Sequence, residues 1–185
     1  MDEYKYIPGH GPIGAQLMIL GDCPTYKDTA TGRAFSDSKE LNELLKDNRI
    51  NKDNCWLTYV SKYEVPPNTG KKRIPFHIRA KNAGIDIDQQ VVELQEEVNG
   101  VKPNCILALG STSLWALSGK TKIGDYRGSI GHGMGCKYVA TYNPAHLSWQ
   151  AADIEFKGYW NRQIISFDIR RAYGQSKFPE LVLPS

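Results

Sequence analysis

Four short apolar runs punctuate the chain: QLMIL at 16–20, CWLTYV at 55–60, NCILALG at 104–110 and KYVATY at 137–142. Each is too short for a helix and is bounded by turn-forming residues, so each reads as a buried strand. Between the first two lies DSKELNELLKD, where Leu41, Leu44 and Leu45 share a helical face and Asp37 and Glu40 have capping-box spacing. Before the third run, IDQQVVELQEEV repeats Val91, Leu94 and Val98 at helical spacing. After it, Ser111 is placed to cap the short helix TSLWALSG, which Gly119 ends. A last helix is expected from Ala151 to about Tyr173, with Ile154, Trp160, Ile164, Ile165 and Phe167 as its apolar residues. Strands alternating with helices predict βαβ units and an α/β fold: a three-layer αβα sandwich around a central, mainly parallel four-stranded sheet.

In such sheets ligands bind beyond the carboxyl ends of the strands, which directs attention to residues 21–37, 61–85, 110–112 and 142–149. The first of these loops holds Asp22, Asp28, Pro24 and, after Gly32, Phe35. The second is long and basic, with Lys62, Lys71, Lys72, Arg73, Arg79 and Lys81 among Tyr63, Phe76 and His77. Cations interleaved with aromatics suit a phosphate backbone and exposed bases, although charge alone favours an ordinary solvated loop. The last loop, TYNPAHLSWQ, sets Asn143, Pro144 and His146 beside apolar Leu147 and Trp149. His10 and His132 sit in glycine-rich turns and are expected to be exposed.

With 185 residues, one domain is expected over 1–173, followed by an extended tail or linker at 174–185. The net charge of +3 permits nucleic-acid binding without requiring it. No run reaches membrane-spanning length and the first residues lack a signal-peptide core, so a cytoplasmic protein with no membrane partner is expected. Cys23, Cys55, Cys105 and Cys136 form no CxxC pair; three lie in strand-like runs and read as reduced core cysteines, and no metal site is expected.

Taken in order, these motifs resemble the uracil-DNA glycosylase superfamily, and within it the family 4 branch. That family's first motif runs glycine, acid, small residue, proline, glycine, an acid three further on, then G-x-P-F. This chain reads Gly21, Asp22, Cys23, Pro24, Thr25, Asp28, then Gly32, Arg33, Ala34, Phe35. LTYVSKYEVPP, the P-x-x-ILALGSTS run at 103–113, the pair Arg127–Gly128 and TYNPAHL at 141–147 follow in family order. The resemblance covers roughly residues 10–165 and implies a DNA glycosylase that flips out a uracil or modified pyrimidine and cleaves its N-glycosidic bond. It implies catalytic roles for Asp28, Asp22, Asn143 and His146. It implies base binding by Cys23, Phe35 and Tyr59, and DNA binding by Lys71, Lys72, Arg73, His77, Ser111, Arg127, Pro144 and Leu147.

Several positions depart from the family pattern. Tyr59 stands where the family has an asparagine that reads the pyrimidine edge, and Asn143 where it has a histidine; Asp22 and Asp28 replace glutamates. The cysteines of the family's iron–sulfur cluster have no counterparts, Tyr63 and Gln90 falling near two of their positions, so no cofactor is expected. A branch that links covalently to uracil-DNA carries a Gly-Lys-Arg-Arg-Ile-His insert; here GKKRIPFH puts Pro75 at the histidine position, and a role on the DNA backbone is the expectation for His77. The alternative to an active enzyme is a catalytically weakened DNA-binding module of a replication or repair protein, such as the front domain of a phage-type DNA polymerase, which the tail resembles.

Overall fold

The computed structural model describes residues 4–147 and 155–180, with the side chains of 155–160 left aside. Its elements follow the expected alternation: β1 (Leu17–Gly21), α1 (Tyr26–Thr31), α2 (Lys39–Asp47), β2 (Trp56–Tyr59), α3 (Phe76–Asn82), α4 (Ile87–Val101), β3 (Cys105–Leu109), α5 (Gly110–Ser118), α6 (Ile123–Tyr126), β4 (Ile130–Gly133), β5 (Cys136–Thr141) and α7 (Glu155–Ser176). The sheet has five strands in the order β2-β1-β3-β5-β4, parallel except for β4, which runs antiparallel to β5. The strand missed by the four-stranded expectation, β4, is IGHG; its two glycines erase any alternating pattern, and it exists by pairing with β5 at the sheet edge.

Strand residues alternate between two buried layers. Leu17, Ile19, Leu57, Leu107 and Val139 face α2 and α7, whose Leu41, Leu44, Leu45, Ile165 and Ile169 complete that core. Met18, Leu20, Ile106, Ala108 and Ala140 face the other way, against Leu94 and Val98 of α4 and Leu114 and Leu117 of α5. Among the described residues no helix is long and apolar enough to cross a membrane.

Local details correct several expectations. Asp37 and Glu40 form no capping box: the N-cap of α2 is Ser38, without a side-chain bond, and Asp37 pairs with Lys27. The capping box instead belongs to α1, between Thr25 and Asp28. Ser111 is not a cap, because α5 begins at Gly110. On α7 the buried face is Ile165, Asp168, Ile169 and Ala172, while Phe167 is 56% exposed; the expected Ile154 lies outside the described residues. His10 is not exposed: its backbone pairs with Leu57, its Nδ1 is buried without a partner, and burial lowers its pKa. His132 lies on β4 and meets Glu180. That contact, with the Lys137 ammonium bonded to the Phe178 carbonyl, packs residues 177–180 against the sheet edge.

Candidate functional site

The sheet order makes its own crevice. The connection leaving β1 runs to β2 on one side, and that leaving β3 runs to β4 and then β5 on the other, so the loops beyond these two adjacent strands diverge. Asp22 follows β1 and Gly110 follows β3. A Cβ on Gly110 would stand 3.4 Å from Asn143 Cβ and 3.7 Å from Asp22 Oδ1, so three strand ends meet at this point. Gly110 has φ 86°, a left-handed conformation that favours glycine, and opens α5 there. The hydroxyl of Ser113 bonds the Leu20 carbonyl and ties α5 to β1.

Asp22 is the electrostatic anomaly of the crevice. The residue is only partly enclosed, yet its Oδ1 is sealed from solvent and has no hydrogen-bond partner. Desolvation raises its pKa from 3.8 to about 6, against the pull of the Arg79 charge and of its own backbone N–H. Native structures rarely leave a buried carboxylate oxygen unpaired, and such groups gather at functional sites. Cys23 beside it is a half-buried thiol whose pKa is pushed up to about 12 by burial and by the Asp22 charge.

Asp28 is the opposite case. Its Oδ1 accepts from the Ser36 N–H (2.9 Å) and hydroxyl (2.6 Å), and its Oδ2 from the Thr25 N–H (3.1 Å) and the Tyr59 hydroxyl (2.5 Å). A carboxylate offers about four lone-pair sites, and all are engaged in a residue that is 1% exposed. Its visible work is to hold the loop of 25–36 in shape. Phe35, at φ 55°, is fixed in that loop by its N–H to Tyr59 Oη (2.8 Å) and by Lys52 Nζ on its carbonyl (2.7 Å). The Phe35 and Tyr59 rings stack with centroids 4.6 Å apart and planes 25° apart. Burial and the Asp28 carboxylate both raise the Tyr59 pKa, so its hydroxyl stays protonated.

The rim is basic and is drawn from more than one loop. Arg79 bonds the carbonyls of Pro66 (2.6 Å) and Ile74 (3.2 Å), closing the neck of the long loop that presents exposed Lys71, Lys72 and Arg73. Exposed His77 stacks over half-buried Trp115 of α5 at 6.1 Å, so Trp115 belongs to the rim. Partial desolvation, and after it the Arg73 charge, lower the His146 pKa in the loop after β5. There Asn143 accepts the Ala145 N–H through Oδ1 and caps a 3-10 turn over Pro144–His146.

Three residues expected at the DNA face are turned inward. Pro144 is buried, and Leu147 packs against the α2–α7 core layer rather than standing out as a plug. Arg127 forks onto Asp168: its Nε donates to Oδ2 at 2.8 Å and its Nη2 to Oδ1, while the Thr141 hydroxyl donates to Oδ2 at 2.8 Å. Sequence reading missed Asp168, an acid on a helix otherwise judged by its apolar residues.

A family model described as the uracil DNA glycosylase superfamily matches residues 8–164. The chain belongs to that superfamily. It is 27% identical over 151 residues to a type-4 uracil-DNA glycosylase of Pyrobaculum aerophilum, a match covering 75% of this chain and 71% of that protein. Membership carries DNA as the substrate class and N-glycosyl hydrolysis as the family chemistry. The iron–sulfur cluster that the family 4 likeness implies does not fit the residues present. Cys55 and Cys105 lie in one core layer, Cys136 in the other and Cys23 in a third cluster. Gln90 accepts the Lys62 N–H (2.7 Å) and Tyr63 packs edge-on against Tyr6. Among the described residues, no group of three or more His, Cys, Asp or Glu side chains is placed to hold a metal ion.

Proposed function

We propose that this uracil-DNA glycosylase relative binds DNA through the loops at 61–85 and 142–147 and hydrolyses the N-glycosidic bond of an altered pyrimidine nucleotide rotated out of the stack, without an iron–sulfur cluster. The observation that carries the reading is the orphaned Oδ1 of Asp22 at the junction of three strand ends. Breaking the bond builds positive charge on the sugar and negative charge on the departing base. A carboxylate with one oxygen left unpartnered stabilises the first and orients the attacking water. The Nδ2 hydrogens of Asn143 are the groups available to the second; an amide carries no charge, so this stabilisation is weaker than that of an imidazolium. Asp28, saturated by its four hydrogen bonds, is a positioning residue.

The test is release of free base from single- and double-stranded oligonucleotides carrying uracil or other altered pyrimidines, by wild type and by Asp22→Asn. Identical behaviour of the two on every substrate sinks the hydrolase reading. The Tyr59–Phe35 stack favours a second reading, a DNA-binding module of a polymerase or repair assembly that releases no base. Both readings share a prediction about the rim. Lys71→Glu and Lys72→Glu are each expected to weaken DNA binding uniformly across sequences and to flatten the plot of log affinity against log salt by about one. Unchanged slopes in a filter-binding titration remove the 61–85 loop from the interface.

A further inference from the structure

Helix α2 carries charged stripes of opposite sign. Glu43 and Asp47, one turn apart, meet Arg162 of α7, which pairs with both. Asn42, Lys46 and Arg49 recur at helical spacing on another face. With Asn51 and Lys52 they line an open groove of about 450 Å³, and buried Leu45 and Ile50 complete its lining. The groove is built on the end of the helix. The Ile50 N–H donates to the Leu45 carbonyl (2.9 Å) and the Arg49 N–H to the Lys46 carbonyl (3.0 Å), the two bonds of a Schellman motif. That motif puts one residue in the left-handed region, most often a glycine. Here it is Arg49, at φ 57°. The chain thus accepts a left-handed arginine where glycine fits at lower cost, and a guanidinium stands at the groove. No acid answers these cations: no Asp or Glu lines the groove, and among the described residues Lys46, Arg49 and Lys52 form no ion pair. Half-buried Lys52 feels the charges of Asp28 and Asp53 from outside the lining. Its ammonium donates to the Phe35 carbonyl (2.7 Å) and to Asn42 Oδ1 (2.9 Å), which leaves one of its three N–H groups.

Three cations gathered beside amide donors repel one another until an anion joins them. Phosphate groups of a nucleic-acid backbone are such anions, and they are bound by charge without base contacts. We propose that this groove is a second DNA track, holding backbone phosphates of the strand whose altered nucleotide enters the crevice. It shares no lining residue with the loops at 61–85 and 142–147. Lys52 joins it to the crevice, because the ammonium that lines the groove also fixes the carbonyl of Phe35. From Asn42 to Arg49 the stripe runs about 10 Å along α2, so the strand it holds extends beyond the nucleotide in the crevice. That DNA supplies the phosphate rests on the glycosylase reading above; that the groove takes phosphate groups does not.

The experiment compares strands that differ in length. Fluorescence anisotropy follows binding of uracil-containing single strands of about 5 and about 20 nucleotides across a salt series. For wild type, log affinity should fall more steeply with log salt on the longer strand. Lys46→Gln and Arg49→Gly should each flatten that fall by about 0.7 and leave the shorter strand unaffected. Arg49→Gly puts the motif's preferred residue at the left-handed position, so it should unfold at a temperature no lower than wild type, and its loss of affinity is not a loss of fold. A second measurement needs no DNA. Inorganic pyrophosphate at constant ionic strength should raise the unfolding temperature of wild type and leave that of the double variant unmoved. Slopes on the longer strand that match wild type in both variants, or a double variant stabilised by pyrophosphate as much as wild type, overturn the proposal. A free deoxynucleoside monophosphate that stabilises wild type as far as the longer strand does, with the effect lost in the double variant, overturns the strand as occupant. Base release from the shorter strand reads the hydrolase separately. A wild type that releases no base while the slopes change as expected sinks the hydrolase reading and leaves the track standing; base release with unmoved slopes does the reverse.

Discussion

Asp22→Asn should lose base release by a hundredfold to a thousandfold, on the order of what removing one preorganised electrostatic group does elsewhere, and should at the same time make the protein more stable. The two effects have one cause. Oδ1 is shielded and unpaired, so the folded protein holds the proton of Asp22 more tightly than the unfolded chain does, with a pKa of about 6 against 3.8. A raised pKa contributes stability that is fully present below about pH 4 and is lost as pH climbs through 6. Above that the charged carboxylate destabilises the fold by about 3 kcal/mol relative to the acid form. The neutral amide has no such penalty. At pH 7 Asp22→Asn should therefore unfold at higher denaturant than wild type, with the advantage gone at pH 4. Wild-type base release should rise with pH through about 6 and then level, tracking the ionised form, while the variant stays flat. A variant less stable than wild type at pH 7 would mean that Asp22 has a structural partner, and its place at the reacting bond would fall.

The fold was legible because it is written in local patterns. Four strands and the amphipathic faces of α2 and α4 follow from runs and spacings within about a dozen residues. What escaped depends on partners far away in the chain. IGHG is a strand only because β5 lies beside it. The buried face of α7 was misjudged because Phe167 looks like a core residue and Asp168 does not, yet Asp168 is 0% exposed and Phe167 faces outward.

The same contrast runs through the site. The motif from Gly21 to Phe35 located the crevice, and the basic loop located its rim. Which of two aspartates keeps an unpartnered oxygen was not legible, because it turns on what fills their lone pairs. Thr25, Ser36 and Tyr59 saturate Asp28, and only folding brings Tyr59, thirty-one positions away, onto it. Tyr59 itself reads in sequence as the loss of an asparagine. In three dimensions it is the gain of a ring stacked on Phe35.

Arg127→Ala should be the most damaging single change away from the crevice, lowering stability by about 3–5 kcal/mol, as expected when a buried carboxylate loses its counter-ion. Asp168 has no exposure, and without the guanidinium it keeps, among the described residues, the Thr141 hydroxyl. Arg127→Lys should recover a minority of the loss, because an ammonium cannot supply the two-pronged donation that Nε and Nη2 make to the two oxygens. Replacing both partners by apolar residues, Arg127→Met with Asp168→Leu, should recover most of it, since no charge is then left buried. Urea unfolding of the four proteins at pH 7 measures all of this. The salt dependence of DNA binding by the folded variants should match wild type, because the arginine's charge is already held by the acid. Arg127→Ala within 1 kcal/mol of wild type, with a shallower salt slope, would return Arg127 to the DNA-binding role that the family resemblance implies and leave Asp168 to be explained by Thr141 alone.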